Sequence, residues 1–350
     1  MSGGMNLPDR VSTKLRKLTD IALWKLSARR NQRPEINIIK TSDENNGNGP
    51  VFEVIGDCYI NPFDGYVISN GHVIWESMTP NYDPAANVSA IGVPKFSAYR
   101  DAKAGNSKTV SVPKALHCRH FFEWNYYHFF MDVLSKVSVY ESAGVSMQAP
   151  LVVGKYFDQL SFAPQTISET KLNKYTWQIQ NDSFVHADRV QFCHVHSDFK
   201  SRMAWINSQI TIDVDQTKEE RIYVTRGKCT GRRVKNEPEI IEVMKSFGFK
   251  VVDTNGLHIL KQVELFRNAR FVVAPHGAGI TNILFRDQSP LSLLELHPYT
   301  QTTDFQSMCK ECGYYWSYIK GNADSKDVQH ADYWLDPSKL ATKVEALLLT

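Results

Sequence analysis

Long apolar runs are missing from this sequence. Its uninterrupted apolar stretches, such as residues 271–275, cover only a few positions, whereas a membrane-spanning helix needs about 20. Met1 to Pro8 leads into charged residues rather than an apolar segment, so the sequence predicts no secretory signal. The composition, 42% hydrophobic and 22% charged over 350 residues, excludes collagen, coiled coil and wholesale disorder. It suits a globular protein of two or three domains.

Repeats and cysteine pairs are scarce as well. No repeat with a period of roughly 20–50 residues is visible, which argues against a solenoid or a propeller. Of six cysteines, only Cys309 and Cys312 are close in sequence, and one such pair falls short of the four ligands of a structural zinc site. Without a secretory signal, we expect ordinary reduced thiols and a cytoplasmic protein.

Two nucleotide-handling motifs are not found directly after a clear strand pattern. No Gly-x-Gly-x-x-Gly fingerprint follows a strand pattern, which disfavours a Rossmann-type oxidoreductase. No Asp-x-Asp motif follows a strand pattern either, so no carboxylate pair is placed to hold Mg²⁺. The sequence therefore predicts no metal site and no bound cofactor.

Positive charge is concentrated at the beginning of the chain. Residues 1–34 carry eight Lys and Arg against two Asp, although the whole chain has a net charge of only +3. Leu15, Leu18, Ala22 and Leu26 step by three and four residues, as the apolar stripe of a helix does. Such a basic amphipathic leader can lie at the inner face of a membrane. The alternative is a helix that packs on the C-terminal domain.

The acidic remainder of the chain disfavours broad nucleic-acid binding.

Strands and helices alternate in the second half of the chain. Strand patterns cover residues 221–225, 249–252, 271–274 and 292–295. Amphipathic helices begin at Asn236 and Ile259. This alternation is typical of a parallel α/β sheet, which binds its ligands at the carboxyl ends of the strands.

The first half is less regular. It predicts short strands and hairpins over residues 51–78, a helix over 125–143 that ends at Gly144, and a strand over 151–154. We expect three parts in all: a leader (1–34), an N-terminal α/β domain (35–200) and a C-terminal Rossmann-like domain (201–350).

A pair of arginines is the first candidate site. Arg226 directly follows a predicted strand, and Arg232 or Arg233 returns on a loop that contains Gly227 and Gly231. A guanidinium is planar, stays charged and donates hydrogen bonds in pairs, which suits a diphosphate. The alternative is a solvated basic loop.

A glycine-rich turn is the second candidate. His276, Gly277, Ala278 and Gly279 lie at a strand–helix junction, and Asn282 follows one turn later. Glycines let the backbone approach a ligand closely, so we expect this turn to contact the donor phosphates and Asn282 the nucleotide. The alternative is a tight turn in which His276 caps the helix.

Glu295 is the third candidate, just beyond a run of apolar residues. A carboxylate in that position must be solvated or hydrogen-bonded. It could accept hydrogen bonds from both hydroxyls of a ribose. The alternative is a carboxylate that faces solvent at the end of a strand.

A histidine and an aspartate form the fourth candidate. His128 and Asp132 are four residues apart, so they share one face of an α-helix. An imidazole oriented by a carboxylate is an apt general base, and either residue can be the base. Trp124 and Asn125 precede them and are expected on the acceptor side. The alternative is a core helix with a satisfied His–Asp pair.

Together these segments resemble glycosyltransferase family 61. The resemblance covers roughly residues 115–300 and is carried, in order, by residues 125–132, 223–237, 273–282 and 294–295. The family includes plant xylan xylosyl- and arabinosyltransferases, an animal O-mannose N-acetylglucosaminyltransferase and many bacterial capsule-locus proteins. Thr225 stands where the family usually has Ser. After Asp132 the Leu-Pro-Arg segment of many bacterial members is missing, so the acceptor side is the less closely matched part.

The resemblance implies an α/β protein of the GT-B type, with two Rossmann-like domains that face each other across a cleft. The domain over 35–200 would be on the acceptor side, and the domain over 201–350 would bind the nucleotide-sugar. The resemblance also implies an inverting, metal-independent hexosyl- or pentosyltransferase of capsule or other polysaccharide biosynthesis. The donor would be a nucleotide-sugar, with a UDP-sugar favoured, and the acceptor a glycan or a lipid-linked glycan. The alternative is a non-catalytic nucleotide- or sugar-binding protein with the same fold.

Overall fold

The structure, a computed structural model, describes residues 7–39, 50–78, 93–195, 198–212, 218–227, 229–287, 289–298, 304–325 and 330–350; for residues 7–15 it describes the backbone alone. The helices in these ranges are α1 (Leu7–Arg30), α2 (Phe96–Lys103), α3 (Tyr126–His128), α4 (Ser135–Ser142), α5 (Tyr156–Gln159), α6 (Phe162–Ser168), α7 (Phe199–Ser208), α8 (Glu237–Ser246), α9 (Ile259–Asn268), α10 (Asp304–Cys312) and α11 (Pro337–Leu348). Three short 3₁₀ helices cover Trp75–Ser77, Lys171–Lys174 and Ala278–Arg286, and a π-helical segment covers Phe129–Leu134.

The strands are β1 (Ile36–Ile39), β2 (Val51–Ile60), β3 (Val67–Ser69), β4 (His72–Ile74), β5 (Thr109–His117), β6 (Leu151–Gly154), β7 (Trp177–Gln180), β8 (Phe184–Cys193), β9 (Glu220–Val224), β10 (Lys250–Val252), β11 (Ala269–Pro275), β12 (Ser292–His297), β13 (Tyr315–Lys320), β14 (Asn322–Ala323) and β15 (Tyr333–Trp334). Together with the helices they make a mixed α/β protein.

The chain divides into two compact units. The first unit comprises Met1–Trp124, Asp132–Leu160 and Lys174–Ser197, and the second comprises Asn125–Met131, Ser161–Asn173 and Asp198–Thr350. Two short segments from the predicted N-terminal domain thus belong to the second unit. A single boundary at residue 200 therefore does not describe these units, because each unit combines three segments of the chain.

The first unit is built on a mixed sheet. Its strand order is β4–β3–β2–β8–β5–β6–β7, with β1 paired to the edge of β2. The pairings of β2 with β1, β3 and β8 are antiparallel, whereas β8–β5, β5–β6 and β6–β7 are parallel. Only the β8–β5–β6–β7 part therefore has the pairing of a Rossmann-like domain. Its core contains Val54, Cys58, Ile60, Val152 and Val185.

The second unit has the parallel sheet that the sequence predicts. Five strands in the order β10–β9–β11–β12–β13 pair in parallel throughout. Every residue of β12 is buried, as expected for a strand covered on both faces. This strand continues to His297, so Glu295 lies within it rather than at its end. A 3₁₀ helix over Ala278–Arg286 follows β11.

The predicted helix over residues 125–143 is confirmed, with one irregularity. Asn125 caps it, because its side chain accepts a hydrogen bond from the backbone N–H of Tyr127, and Gly144 follows its end with a φ of +67°. Between α3 and α4 the backbone is π-helical, which inserts wider turns than an α-helix.

The leader forms α1 and packs on the first unit rather than on the C-terminal domain. Trp24 is buried and its indole N–H donates to the Pro94 carbonyl at 2.7 Å. Its ring also meets Phe96 edge-on, with 4.9 Å between centroids. Leu18 and Leu26 of the predicted stripe are exposed. None of the described helices is long and apolar enough to cross a membrane.

Candidate functional site

A small cavity of about 50 Å³ lies in the second unit, where β9, β10 and β11 end. Arg226 follows β9 and lines it, together with Thr254 and Asn255, which follow β10, and Gly279, which follows β11. Carboxyl ends of parallel strands are where α/β sheets bind ligands. The sequence analysis missed Thr254 and Asn255, although polar residues directly after a strand were the available signal.

Arg226 is held in place and keeps an unused donor. Its Nη1 donates to the carbonyl of His276 at 2.9 Å. Its Nε is buried and has no hydrogen-bond partner among the described residues. Burial lowers the pKa of Arg226, and the charge of Arg232 lowers it further. A half-buried guanidinium beside a second positive charge, with a buried donor to spare, is arranged for an anion.

The structure separates the roles of Arg232 and Arg233. Arg233 is exposed, and its Nη2 and Nε donate to Oδ2 of Asp332 at 2.6 and 3.0 Å. Arg232 adopts a left-handed backbone conformation, with a φ of +57°, and its charge acts on Arg226. The arginine that the fold associates with Arg226 is thus Arg232, and Arg233 is part of an ion pair.

Gly277 makes room for Arg226. A Cβ added to Gly277 would lie 1.9 Å from Nη1 of Arg226, a distance that no real contact reaches. A Cβ on Gly279 would meet its nearest neighbour, Oγ1 of Thr254, at 3.6 Å, which is ordinary contact. Ala278 begins the 3₁₀ helix between them. The glycine of this turn that sterics require is therefore Gly277.

His276, Glu295 and His297 form a buried cluster. Nδ1 of His276 lies 2.6 Å from Oε1 of Glu295, and Nε2 of His297 lies 3.3 Å from Oε2. The indole N–H of Trp316 donates to the same Oε2 at 2.9 Å. Burial alone would raise the pKa of Glu295, but the hydrogen bonds from His276 and His297 lower it to about 2. Glu295 is thus an ionised carboxylate at the centre of the cluster.

Glu295 is 0% exposed, so the solvent-facing alternative is wrong for it. Its role toward a ribose stays a prediction. His276 connects Arg226 to Glu295. Its carbonyl accepts a hydrogen bond from Arg226, and its ring is hydrogen-bonded to Glu295.

Among the described residues of the second unit, this cluster is the one buried group of side chains that could hold a metal ion. Two imidazoles and a carboxylate within 4.8 Å of one another are a donor set that zinc takes. The 2.6 Å between Nδ1 of His276 and Oε1 of Glu295, however, is the length of a direct charge-assisted hydrogen bond. The residues therefore fit each other without an ion.

Asn282 is part of a second buried network. Its Oδ1 accepts from the Tyr126 hydroxyl at 2.5 Å, and its Nδ2 donates to Oε1 of Gln262 at 3.0 Å. Burial raises the pKa of Tyr126, which keeps its hydroxyl protonated as the donor. Sequence analysis missed Tyr126 and Gln262, because nothing in the local sequence pairs them with Asn282. The predicted contact of Asn282 with the nucleotide stays a prediction.

The predicted catalytic pair falls in different units. His128 is half-buried in the second unit, and its ring meets that of Tyr127 edge-on. Asp132 belongs to the first unit, where its Oδ2 lies 3.9 Å from Nε2 of His120. Nδ1 of His120 accepts from the backbone N–H of Phe122 at 3.2 Å, which leaves Nε2 as the protonated nitrogen. His120 is therefore a neighbour of Asp132 that the sequence did not indicate.

The chain matches a known family over part of its length. A family model described as Glycosyltransferase 61 covers residues 126–294. This range contains the predicted residues from His128 to Asn282, including both Arg226 and Gly277, and ends one residue before Glu295. Trp124 and Asn125 precede it. No curated protein is a significant match to the sequence.

Proposed function

We propose, because this chain belongs to glycosyltransferase family 61, that it moves a sugar from a nucleotide-sugar to a hydroxyl of a glycan or glycoconjugate. The observation that carries the proposal is the Arg226 site. A guanidinium with an unpaired buried N–H lies beside the charge of Arg232, at the carboxyl ends of parallel strands. That arrangement suits the diphosphate of a donor such as a UDP-sugar.

In the transfer, the acceptor oxygen forms a bond to the anomeric carbon while the bond from that carbon to the diphosphate oxygen breaks. Attack from the face opposite the diphosphate inverts the anomeric centre. Negative charge grows on the leaving oxygen, and Arg226 with Arg232 would stabilise it in the way that preorganised donors stabilise a transition state. Two guanidiniums then do what a metal ion does in other transferases, so we propose that no metal is needed.

The buried cluster would hold this arrangement. Ionised Glu295 fixes the ring of His276, and the carbonyl of His276 fixes Arg226. His276 and Glu295 are thus positioning residues for the diphosphate site, in addition to the ribose contact that we propose for Glu295 and the nucleotide contact that we propose for Asn282. The GT-B arrangement that the resemblance implies is part of the same proposal.

The acceptor hydroxyl must lose its proton as the new bond forms. We assign this step to His128 or Asp132, the two candidates of the sequence. The neighbouring imidazole of His120 favours Asp132, since its Nε2–H faces the carboxylate and would help to orient it. A carboxylate base with an imidazole beside it is an established form of general base catalysis.

Asp132→Asn should lower turnover about a hundredfold, because the amide cannot accept the proton. The side chain keeps its size, so the unfolding temperature should hardly change. Turnover is measured with a transferable donor sugar, in parallel with His128→Ala. If both variants turn over as the unaltered protein does, neither residue is the base.

Nucleoside diphosphates should stabilise the protein. At 100 times its dissociation constant a ligand adds about 2.7 kcal/mol to the free energy of unfolding, which corresponds to several degrees in a thermal scan. UDP, GDP, CDP and TDP are compared, with and without EDTA, and UDP should give the largest shift in both conditions. A shift that EDTA removes and Mg²⁺ restores would contradict the metal-independent mechanism. Binding without transfer or donor hydrolysis would favour a non-catalytic binding protein.

The leader helix would contact an anionic membrane from the cytoplasmic side. Leu18, Leu23 and Leu26 are exposed, and so are Lys25 and Arg29, while Trp24 holds the helix on the first unit. A basic helix with exposed apolar side chains is suited to a membrane interface. This location would bring the enzyme to a lipid-linked acceptor.

The full chain should therefore co-sediment with vesicles of phosphatidylcholine and phosphatidylglycerol at low salt. Each Lys or Arg near such a surface adds about 1 kcal/mol of attraction, so pure phosphatidylcholine vesicles should pellet much less protein. The triple variant Leu18→Asp, Leu23→Asp, Leu26→Asp should stay in the supernatant while it unfolds at the same temperature. Equal pelleting with both kinds of vesicle, or none with either, would contradict membrane contact.

A further inference from the structure

A larger cavity, of about 290 Å³, lies entirely within the first unit. Its walls come from residues that follow the parallel strands β5, β6 and β7 and from the turn Pro62–Phe63–Asp64. Most of them precede residue 126, where the family match begins. Small-ligand pockets typically have volumes of about 300–1,000 Å³, so this cavity has room for one sugar ring rather than for a long chain.

The wall of the cavity is rigid and electrically balanced. Arg119 and Glu123 are buried and joined by contacts of 3.0 Å from Nε to Oε2 and from Nη2 to Oε1. Nη1 of Arg119 also donates to Oε1 of Gln180 at 2.7 Å and to the carbonyl of Asn61 at 3.2 Å. Because the guanidinium is neutralised and saturated, it offers no site for a phosphate. This sets the cavity apart from the Arg226 site.

Three aromatic side chains around the cavity are open to solvent. Phe63 is 63% exposed, Trp124 50% and Tyr156 37%. Large aromatic side chains gain much free energy when a ligand covers them, and the C–H face of a pyranose ring is an apolar surface of matching shape. Exposed aromatic side chains around one cavity favour a ligand with a flat apolar face that can stack on them.

Polar groups stand between the aromatics. Asn181, Lys155 and His120 line the cavity with Asp64, whose carboxylate accepts from the backbone N–H of Tyr66 at 3.2 Å. Burial raises the pKa of Asp64 to about 7, which lets it donate or accept a hydrogen bond near neutral pH. A few convergent polar groups among aromatic walls are the usual composition of a specific small-ligand site.

We infer that this cavity binds one uncharged pyranose ring. This ring would be the sugar residue of the acceptor glycan at which the new linkage is made. The assignment of the ring to the acceptor rests on the proposed function. The binding of a pyranose rests on the cavity alone, on Phe63, Trp124 and Tyr156 as stacking surfaces and on Asn181 and Asp64 as partners for hydroxyl groups.

The test uses ligand-observed NMR with the full chain. Saturation transfer is measured to the methyl glycosides of glucose, galactose, mannose, xylose and N-acetylglucosamine, each at millimolar concentration. Trp124→Ala is compared with Trp334→Ala, a matched control in the second unit whose tryptophan is 49% exposed. We expect transfer to at least one glycoside in the unaltered chain and the control, and at least a fivefold weaker signal in Trp124→Ala.

Asn181→Ala should weaken the same signal, which guards against an effect of the tryptophan substitution on folding. Transfer to none of the glycosides, or equal transfer in Trp124→Ala and Trp334→Ala, would overturn the inference. UDP stabilisation is measured on the same samples and should be unaffected by Trp124→Ala. If no nucleoside diphosphate binds while the glycoside signal still depends on Trp124, the transferase proposal fails and the pyranose site stands.

Discussion

Replacing Arg226 by Lys is expected to lower turnover about a thousandfold, the cost of losing a preorganised donor to a developing negative charge. Lysine keeps the charge but cannot both donate to the carbonyl of His276 and present a second N–H from a planar group. The affected contact is a single 2.9 Å hydrogen bond at the carboxyl end of a strand. The variant should therefore still fold, and its unfolding temperature should change by only a few degrees.

The matched control is Arg233→Lys. Arg233 is an exposed neighbour in the same loop, and its guanidinium is paired with Asp332, so an ammonium should serve nearly as well. Its turnover should stay within about a factor of two, as surface ion pairs contribute little. Comparable losses in both variants, or full activity in Arg226→Lys, would show that Arg226 does not hold the diphosphate.

Gly277→Ala should lower turnover several hundredfold, although it adds one methyl group. That methyl would lie 1.9 Å from Nη1 of Arg226, and the end of a long side chain is what moves to relieve such a contact. The fold should persist with a lower unfolding temperature, because the guanidinium can move but the φ of +159° at Gly277 is one that a residue with a side chain rarely adopts. Turnover and the stabilisation by UDP should therefore fall together, as in Arg226→Lys.

Gly279→Ala separates this steric effect from a general loss of helix or turn structure. Its added methyl would meet Thr254 at an ordinary 3.6 Å and would not touch Arg226. Because Gly279 lines the same small cavity as Arg226, turnover should fall, but by only about tenfold. If Gly279→Ala is as inactive as Gly277→Ala, the turn tolerates no side chain and the displacement of Arg226 is not the cause. A double variant, Gly277→Ala with Arg226→Lys, should be no worse than either change alone, since both act on one group.

The second unit could be predicted from the sequence because its signals are local. Helix α9 begins at Ile259 and ends at Asn268, as its apolar periodicity indicates, and β12 carries the apolar residues Leu293, Leu294 and Leu296. In a parallel sheet covered on both faces, each strand carries its own hydrophobic signal. Glycines and polar residues then mark where the strand ends.

The first unit could not be predicted to the same degree. Strand β2 pairs with β8, whose residues follow more than 120 positions later, and a bulge shifts their register between Ile55 and Cys58. Pairing over that distance depends on the whole sheet, which a local pattern does not encode. The π-helical turn over Phe129–Leu134 likewise has no distinctive sequence signal.

Because sequence patterns are local, the roles of some site residues could be assigned and those of others could not. The sequence indicated Arg226 and Gly277, which lie just after strand ends and which we propose as site residues. It left Arg232 and Arg233 as equals, because the partner that distinguishes them, Asp332, lies about a hundred residues away. It also could not show that Glu295 is covered by His276, His297 and Trp316.

The interleaving of the two units has a consequence for how the protein is made. Phe130 is fully buried and packs against Phe285, with 5.6 Å between ring centroids, and both belong to the second unit. At about 5–20 residues per second, a ribosome delivers Phe285 roughly 10–30 s after Phe130. Throughout that interval Phe130 can pack only against earlier residues such as Tyr126 and Phe129. A fragment that ends near residue 198 is therefore expected to leave the aromatic packing of the second unit incomplete, because it contains Phe130 and lacks Phe285.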